Sequence, residues 1–228
     1  PQERPGGRAL CYMLTGGTTG ALKCAEVSHA MALHEVQQYP RAVPLLGPED
    51  RVLQQTPVLW AASAMGQLDI ALAYGAAVCM AGGLDQDTVL AHGATVLGTV
   101  PSSLEALEPQ AVPCVRCIFT WGEALPPALA KRWRGSGISM LELLISTEYW
   151  LGFLSDGETS PAGRTVFRAV GGVDFAVLPA GEEQLRVEAG ASGELCIRGP
   201  MVTPGYKFGH DAGGGSGPAL VAAPDGGA

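Results

Sequence analysis

Residues 12–23, YMLTGGTTGALK, combine the residue types that suit a chain of phosphates. Glycine allows positive φ and lets backbone N–H groups approach a ligand closely, and threonine hydroxyls add hydrogen-bond donors. The segment is not a Walker A loop, because Ala21 and Leu22 separate its last glycine from the lysine. It predicts a loop for a nucleotide triphosphate tail, with a plain glycine turn as the alternative. The candidate binding residues are Thr15, Gly16, Gly17, Thr18, Thr19, Gly20 and Lys23.

Two further polar segments, TWGEAL at 120–125 and ISTEYW at 145–150, follow predicted strands. Ligands of open parallel sheets lie beyond the carboxyl ends of the strands. We therefore expect these segments and the glycine loop to meet at one crevice. That arrangement would place hydroxyl groups, Lys23, Glu123 and Glu148 around one ligand.

Short β-prone runs alternate with helical runs, which predicts an α/β fold with a mostly parallel sheet covered by helices. The predicted strands are 9–14, 51–55, 76–80, 94–99, 115–120 and 140–145. The predicted helices run from Ser28 to a stop at Pro40, over 61–74, from Asp85 to His92, and through ALPPALAKRWR to Gly135.

The pattern changes after residue 161, where VDFAVL, QLRVE and GELCIRG predict antiparallel strands. We therefore divide the chain into an α/β nucleotide- and substrate-binding part at 1–160 and an incomplete β-rich part at 161–208. A glycine-rich tail follows at 209–228.

Composition narrows the classes of partner. The net charge of −8 and the pI of 4.9 argue against nucleic acid or an anionic membrane. The most apolar stretch, 57–84, is interrupted by Gln67 and Asp69, so it predicts a buried helix and strand rather than a membrane span. Six scattered cysteines indicate reduced thiols in a cytoplasmic protein, and the single pair Cys114 and Cys117 lacks the further ligands of a zinc site.

The order of motifs resembles the adenylate-forming superfamily of acyl-CoA ligases, luciferases and adenylation domains of nonribosomal peptide synthetases. YMLTGGTTGALK is similar to its phosphate loop and CIFTWGEALPPAL to its adenine-side segment. LLISTEYW resembles its Thr-Glu motif, and TVLGTVPSSLEAL and GELCIRGPMVTPGY resemble two further segments. The similarity extends over residues 9–206, which implies the large domain of such an enzyme.

The resemblance implies ATP and magnesium as cofactors and acyl-adenylate formation with release of pyrophosphate. Lys23 and the loop Thr15–Gly20 would hold the β and γ phosphates, Thr147 would contact the α-phosphate, and Glu148 would hold magnesium. The implied catalytic residues are therefore Lys23, Thr147 and Glu148. The other implied nucleotide contacts are Gly122, Glu123, Ala124 and Ser146, and the implied substrate contacts are Trp60, Ala61, Ser63, Trp121 and Ile145.

The sequence departs from the family pattern in its substrate and nucleotide segments. Ala61 follows Trp60 where amino-acid-activating members usually have an aspartate, which favours a carboxylic acid without an α-amine. Leu144 and Ile145 replace an aromatic residue and a glycine, and loss of the stacking ring would cost about 1 kcal/mol. A degenerate domain that binds nucleotide or a partner without catalysis is therefore the alternative.

Two family elements, the ribose-binding Thr-Gly-Asp and the C-terminal domain with its catalytic lysine, have no counterpart in the sequence. The first residues, PQERPGGRAL, include no initiator methionine or signal pattern. We therefore expect a fragment, the second half of the large domain, that is inactive or very weak alone. The sequence leaves open whether the acceptor of the acyl group is coenzyme A, a carrier-protein phosphopantetheine, or neither.

Overall fold

A computed structural model describes residues 8–16, 22–57, 59–179 and 192–208. Within these ranges the strands are β1 Ala9–Gly16, β2 Leu22–Ser28, β3 Arg51–Gln54, β4 Ala77–Met80, β5 Val96–Thr99, β6 Cys117–Thr120, β7 Ser139–Ser146, β8 Tyr149–Ser155, β9 Arg168–Ala169, β10 Asp174–Pro179, β11 Gly193–Arg198 and β12 Tyr206–Phe208. The α-helices are α1 His29–Ala42, α2 Ala61–Ser63, α3 Asp69–Tyr74, α4 Gln86–His92 and α5 Pro127–Arg134.

The central sheet has the strand order β4-β3-β5-β6-β7-β8-β9. Its strands from β4 through β7 run parallel, and β8 and β9 complete it as antiparallel strands. Every residue of β5 and of β6 is buried. Strands covered on both faces need continuous apolar runs, which is why these segments show no alternation. The predicted α/β fold with a mostly parallel sheet is confirmed.

Helices cover both faces of this sheet. On one face, Tyr39 of α1 and Ile70 of α3 pack with Phe119 of β6. On the other face, Val89 of α4 and Trp133 of α5 belong to a second apolar cluster. The sheet is therefore a rigid platform whose loops at the carboxyl ends of the strands are fixed in position.

The first helix extends beyond its predicted end. Ser28 caps α1 as expected, accepting a hydrogen bond from the Met31 N–H at 3.3 Å. The prediction that Pro40 stops the helix is wrong, because α1 continues to Ala42. The hydroxyl of Tyr74 donates to the Tyr39 carbonyl at 2.8 Å. This tertiary contact holds the last turn in place around the proline.

The helix predicted over 61–74 forms in three pieces. A π-helical turn, Ala64–Leu68, separates α2 from α3. Gln67 in this turn is fully buried and donates to the Gly98 carbonyl at 2.7 Å and to Thr56 Oγ1 at 2.9 Å. π-Helical turns of this kind are frequent at functional sites.

The first strand does not join the parallel sheet, so its predicted place there is wrong. β1 pairs with β2, and β2 pairs with β12, in a separate antiparallel sheet. The described chain therefore has β1 paired with an antiparallel strand, β2, and not followed by a helix as predicted.

The later strands match part of the prediction. β10 and β11 form the antiparallel pair expected from VDFAVL and GELCIRG. QLRVE and the glycine-rich tail lie outside the described residues, and the division of the chain into domains stays a prediction. In the described ranges, no helix is both long enough and apolar enough to cross a bilayer.

Candidate functional site

Thr147 and Glu148 form the turn of a β-hairpin. Ser146 at the end of β7 pairs with Tyr149 at the start of β8, which leaves these two residues between the strands. The Ser146 hydroxyl donates to Glu148 Oε2 at 3.0 Å and accepts from the Glu148 N–H at 3.2 Å. The sequence predicted a loop at this place. The hairpin instead fixes the carboxylate beyond the carboxyl end of β7.

Three of the phosphate-loop candidates, Thr15, Gly16 and Lys23, lie in the paired strands β1 and β2. Thr15 near the end of β1 pairs with Lys23 of β2, and Gly16 closes β1. The remaining candidates lie outside the described residues: Gly17, Thr18, Thr19 and Gly20. The pairing of Thr15 with Lys23 places the lysine at the base of the predicted loop.

Tyr206 connects this hairpin to the Glu148 turn. The Lys23 ammonium lies 5.3 Å from the centre of the Tyr206 ring, and the Tyr206 hydroxyl donates to Glu148 Oε1 at 2.8 Å. Burial, together with the Glu148 carboxylate, raises the pKa of Tyr206 to about 12. The phenol therefore stays protonated at neutral pH and remains a hydrogen-bond donor.

The structure brings together two of the three predicted catalytic side chains, Lys23 and Glu148, through a residue that the sequence analysis did not single out. Tyr206 lies 58 residues from Glu148 in the chain. Its only sequence signal was its position at the end of GELCIRGPMVTPGY.

The carboxylate of Glu148 fits a magnesium ion shared with phosphates. Each of its oxygens accepts one hydrogen bond, from Tyr206 or from Ser146, so each keeps a lone pair for a cation. In the part of the chain that is described, no group of three or more His, Cys, Asp or Glu side chains could hold a metal. Magnesium commonly binds through one or two carboxylates plus substrate phosphates, so a single carboxylate suffices.

A cavity of about 590 Å³ lies beyond the carboxyl ends of β3, β5 and β6. Trp60 at this cavity is 63% exposed, whereas Trp121 is only 6% exposed. None of the described lining residues is charged. The lining residues are Gln55, Thr56, Pro57, Trp60, Ala62, Gly83, Leu84, Thr99, Val100, Ser103, Trp121 and Gly122.

The indole of Trp121 is seated against two glycines. A Cβ atom added at Gly98 would lie 2.7 Å from Cη2 of Trp121, and one added at Gly66 would lie 2.7 Å from Cζ3. Real Cβ atoms do not approach other atoms so closely, so both positions must lack a side chain. The ring therefore forms a fixed wall of the cavity.

The other predicted substrate residues lie apart from the cavity lining. Ala61 is buried in an apolar cluster with Met65 and Trp150. Ser63 is buried and accepts a hydrogen bond from Gln54 Nε2 at 2.7 Å. Ile145 packs against two apolar clusters. Of the predicted substrate contacts, Trp60 and Trp121 line the cavity.

The adenine-side candidates lie after β6. Gly122 lines the cavity and has a φ of 78°, a conformation that favours glycine. Glu123 accepts hydrogen bonds from the N–H of Ser102 at 3.1 Å and from its hydroxyl at 2.9 Å, and Ala124 is exposed. Glu123 thus fixes the loop after β5 against the loop after β6.

A buried carboxyl pair lies behind the Glu148 turn. Glu35 of α1 and Asp69 of α3 are buried and interact with each other electrostatically. Burial is the main cause that raises the pKa of Glu35 well above its usual value and that of Asp69 to about 6. Glu35 also accepts from the Leu151 N–H at 2.8 Å. Nothing in the sequence predicted this pair.

Comparison with known proteins defines the family. A family model for AMP-binding enzymes matches residues 1–207. The chain therefore belongs to the AMP-binding enzyme family. It is 32% identical over 225 residues to the nonribosomal peptide synthetase fmqA of Aspergillus fumigatus, covering 92% of this chain and 5% of that protein. The chain thus spans a small part of this relative's length.

Solved structures agree with the fold. The adenylation domain AlmE of Vibrio cholerae, in complex with glycyl-adenosine-5'-phosphate, has a TM-score of 0.73 at 24% identity, with 86% of this chain and 40% of that chain covered. ATP-bound MatB of Rhodopseudomonas palustris has a TM-score of 0.73 at 21% identity, with 89% and 42% covered. Both likenesses concern the fold alone.

Proposed function

We propose that the chain belongs to an enzyme that activates a carboxylic acid with ATP, forming an acyl-adenylate and pyrophosphate. The observation that supports this proposal is the convergence of Lys23 and Glu148 on Tyr206. A cation beside the glycine hairpin and a carboxylate able to hold a metal are the charges that a triphosphate requires. The family assignment and the ATP bound to one structural neighbour agree with it.

In the proposed reaction, a carboxylate oxygen of the acid attacks the α-phosphorus of ATP and forms a new P–O bond. The bond between the α-phosphorus and the oxygen that bridges it to the β-phosphorus breaks, and pyrophosphate leaves with the electron pair of that bond. Lys23 and the loop Thr15–Gly20 hold the β and γ phosphates, and Thr147 orients the α-phosphate. Magnesium held by Glu148 would supply positive charge that offsets the negative charge of the phosphates.

We further propose that the acid is uncharged apart from its reacting carboxylate. The cavity beside Trp60 and Trp121 has no charged side chain among its described lining residues. An α-ammonium group would lose hydration there without gaining a counter-charge. Ala61 provides no carboxylate either, and it is buried in an apolar cluster. A short apolar or aromatic acid satisfies both observations.

Nucleotide or partner binding without catalysis is a second candidate function. Leu144 and Ile145 are both partly buried, and neither can stack on an adenine ring.

An acyl group, once activated, would pass to coenzyme A or to a carrier protein, the acceptors used in the named classes of relatives. The six cysteines all lie in the described part of the chain and are free thiols, which supports a cytoplasmic location.

Calorimetric titration with Mg·ATP tests the nucleotide site. We expect binding that weakens at least tenfold in Lys23→Ala and in Glu148→Gln. Lys131→Ala and Glu105→Gln are the matched controls, because both side chains are exposed and neither belongs to the cavity lining or to the Lys23, Tyr206 and Glu148 cluster. Equal binding by all five proteins, or none by the wild type, would contradict the proposal.

Tryptophan fluorescence tests whether the site binds an acid that has no α-ammonium group. Benzoate and hexanoate, added with Mg·ATP, should change the emission of the wild type, and the change should diminish in Trp60→Phe. Phenylalanine and glycine should leave the emission unchanged. A saturable change with either amino acid would show that the site accepts an α-ammonium group.

A further inference from the structure

The segment from Met201 to Tyr206 is bound to both halves of the proposed site. On one side, the Trp150 N–H donates to the Met201 carbonyl at 3.0 Å, and the Thr203 N–H donates to the Glu148 carbonyl at 2.8 Å. These bonds attach the segment to the hairpin turn that presents Glu148. Backbone hydrogen bonds alone therefore fix the turn to the segment.

On the other side, the same segment is attached to the phosphate-loop hairpin. Tyr206 pairs with Ala25 of β2, and the Thr203 hydroxyl donates to the Glu26 carbonyl at 2.6 Å. The Glu26 N–H in turn donates to the Gly205 carbonyl at 2.9 Å. The segment is thus a backbone bridge between two elements that are far apart in sequence.

The side chain of Tyr206 completes this bridge at the two charged groups. Its hydroxyl donates to Glu148 Oε1 at 2.8 Å, and its ring lies 5.3 Å from the Lys23 ammonium. The hydroxyl restricts the rotation of the carboxylate, and the ring faces the cation through its negative π surface. One side chain therefore contacts both groups that a metal–phosphate complex needs.

We propose that Tyr206 is a positioning residue that orients Glu148 toward a divalent cation and holds Lys23 toward the phosphates. This inference rests on the proposed function. Groups that hydrogen-bond to a metal ligand commonly change metal affinity 10- to 100-fold when they are removed. The hydroxyl and the ring of Tyr206 act on different partners, so their contributions are separable by substitution.

Tyr206→Phe removes the hydroxyl and keeps the ring beneath Lys23. We expect this variant to bind Mn²⁺ in the presence of ATP about tenfold more weakly than the wild type. Its affinity for ATP in EDTA should be unchanged. Tyr206→Leu removes the ring as well, and its affinity for ATP in EDTA should also fall, about threefold or more.

Tyr12→Phe is the matched control. Tyr12 lies on β1 of the same small sheet, and its ring faces the Lys207 ammonium at 5.8 Å in a second lysine–tyrosine pair. Removing its hydroxyl makes the same chemical change away from Glu148. Mn²⁺ affinity, measured by electron paramagnetic resonance, should equal that of the wild type.

The outcomes separate the two proposals. If Glu148→Gln abolishes Mn²⁺ binding while Tyr206→Phe retains wild-type affinity, the role of Tyr206 is refuted and the proposed function stands. If the wild type binds neither ATP nor Mn²⁺, the proposed function fails and the positioning role fails with it. Equal loss of metal binding and of metal-free ATP binding in Tyr206→Phe would indicate structural damage and would also refute the positioning role.

Discussion

The buried carboxyl pair of Glu35 and Asp69 contributes stability that decreases as pH rises. Glu35 and Asp69 are both nearly inaccessible to solvent, so burial favours their protonated forms, and the negative charge of Asp69 further favours a protonated Glu35. Above pH 4 the unfolded chain releases the protons that the folded pair retains. The unfolded state then binds fewer protons than the folded state, so the free energy of unfolding falls with increasing pH.

The magnitude follows from Asp69. Raising its pKa from 3.8 to about 6 corresponds to about 3 kcal/mol of stability, present below pH 4 and lost as pH rises through 6. Asp69→Asn removes this ionisation and keeps a carbonyl oxygen that can accept a hydrogen bond from the protonated Glu35 carboxyl. We therefore expect the variant, relative to the wild type, to gain about 3 kcal/mol between pH 4 and pH 7.

Urea unfolding followed by tryptophan fluorescence at several pH values measures this difference. Cys11 and Tyr39 also face the pair, but burial raises the pKa of both, so they remain protonated in this range. Burial lowers the pKa of His34, whose titration affects wild type and variant alike. Asp87→Asn, at an exposed carboxylate on α4, is the control and should show no such trend.

A difference between Asp69→Asn and the wild type that stays constant within about 0.5 kcal/mol across this pH range would refute the reasoning. A variant that becomes less stable than the wild type as pH rises would refute it as well. Either result would mean that Asp69 ionises in the folded state as readily as in water.

Two further predictions concern packing and an ion pair. Gly98→Ala should destabilise the fold by about 1–3 kcal/mol in urea unfolding, because its Cβ would overlap the backbone oxygen of Gly66 and the indole of Trp121. Arg116→Met should destabilise by about 2 kcal/mol at pH 7 and by less at pH 3, because it leaves the buried Asp50 carboxylate without its cation. Burial alone would raise the pKa of Asp50, but its hydrogen bonds to Arg116, Thr95 and the Gly47 N–H lower it, so this stabilisation is lost as pH falls.

Short sequence patterns predicted the helices and strands whose formation depends on residues close to them in the sequence. The strands from β3 to β7 were found from short β-prone runs, and Asp85 marked the start of α4, where its carboxylate accepts a hydrogen bond from the Thr88 N–H. β2 and β8 were missed, since the strands that they pair with, more than their own sequences, decide whether these segments form strands. The same reason explains why β1 was assigned to the wrong sheet.

The residues of the candidate site also fall into two groups, those predicted from short motifs and those placed by contacts between distant parts of the chain. Lys23 and Glu148 were predicted from their residue types and spacing within short motifs. Tyr206 was not predicted as part of the site, because its contact with Glu148 depends on the pairing of β12 with β2. Glu35 was missed for a similar reason, since a charged residue on a helix is usually exposed and only the folded chain places it against Asp69.

The central claim is that the cavity and the charged groups serve one reaction that joins an acid to AMP. Benzoyl sulfamoyl adenosine, a stable analogue of an aromatic acyl-adenylate, tests it most directly when its affinity is measured by calorimetry. We predict that the chain binds this analogue at least about 100-fold more tightly than it binds benzoate or AMP alone. An analogue that binds no more tightly than the better of its two halves would contradict the claim.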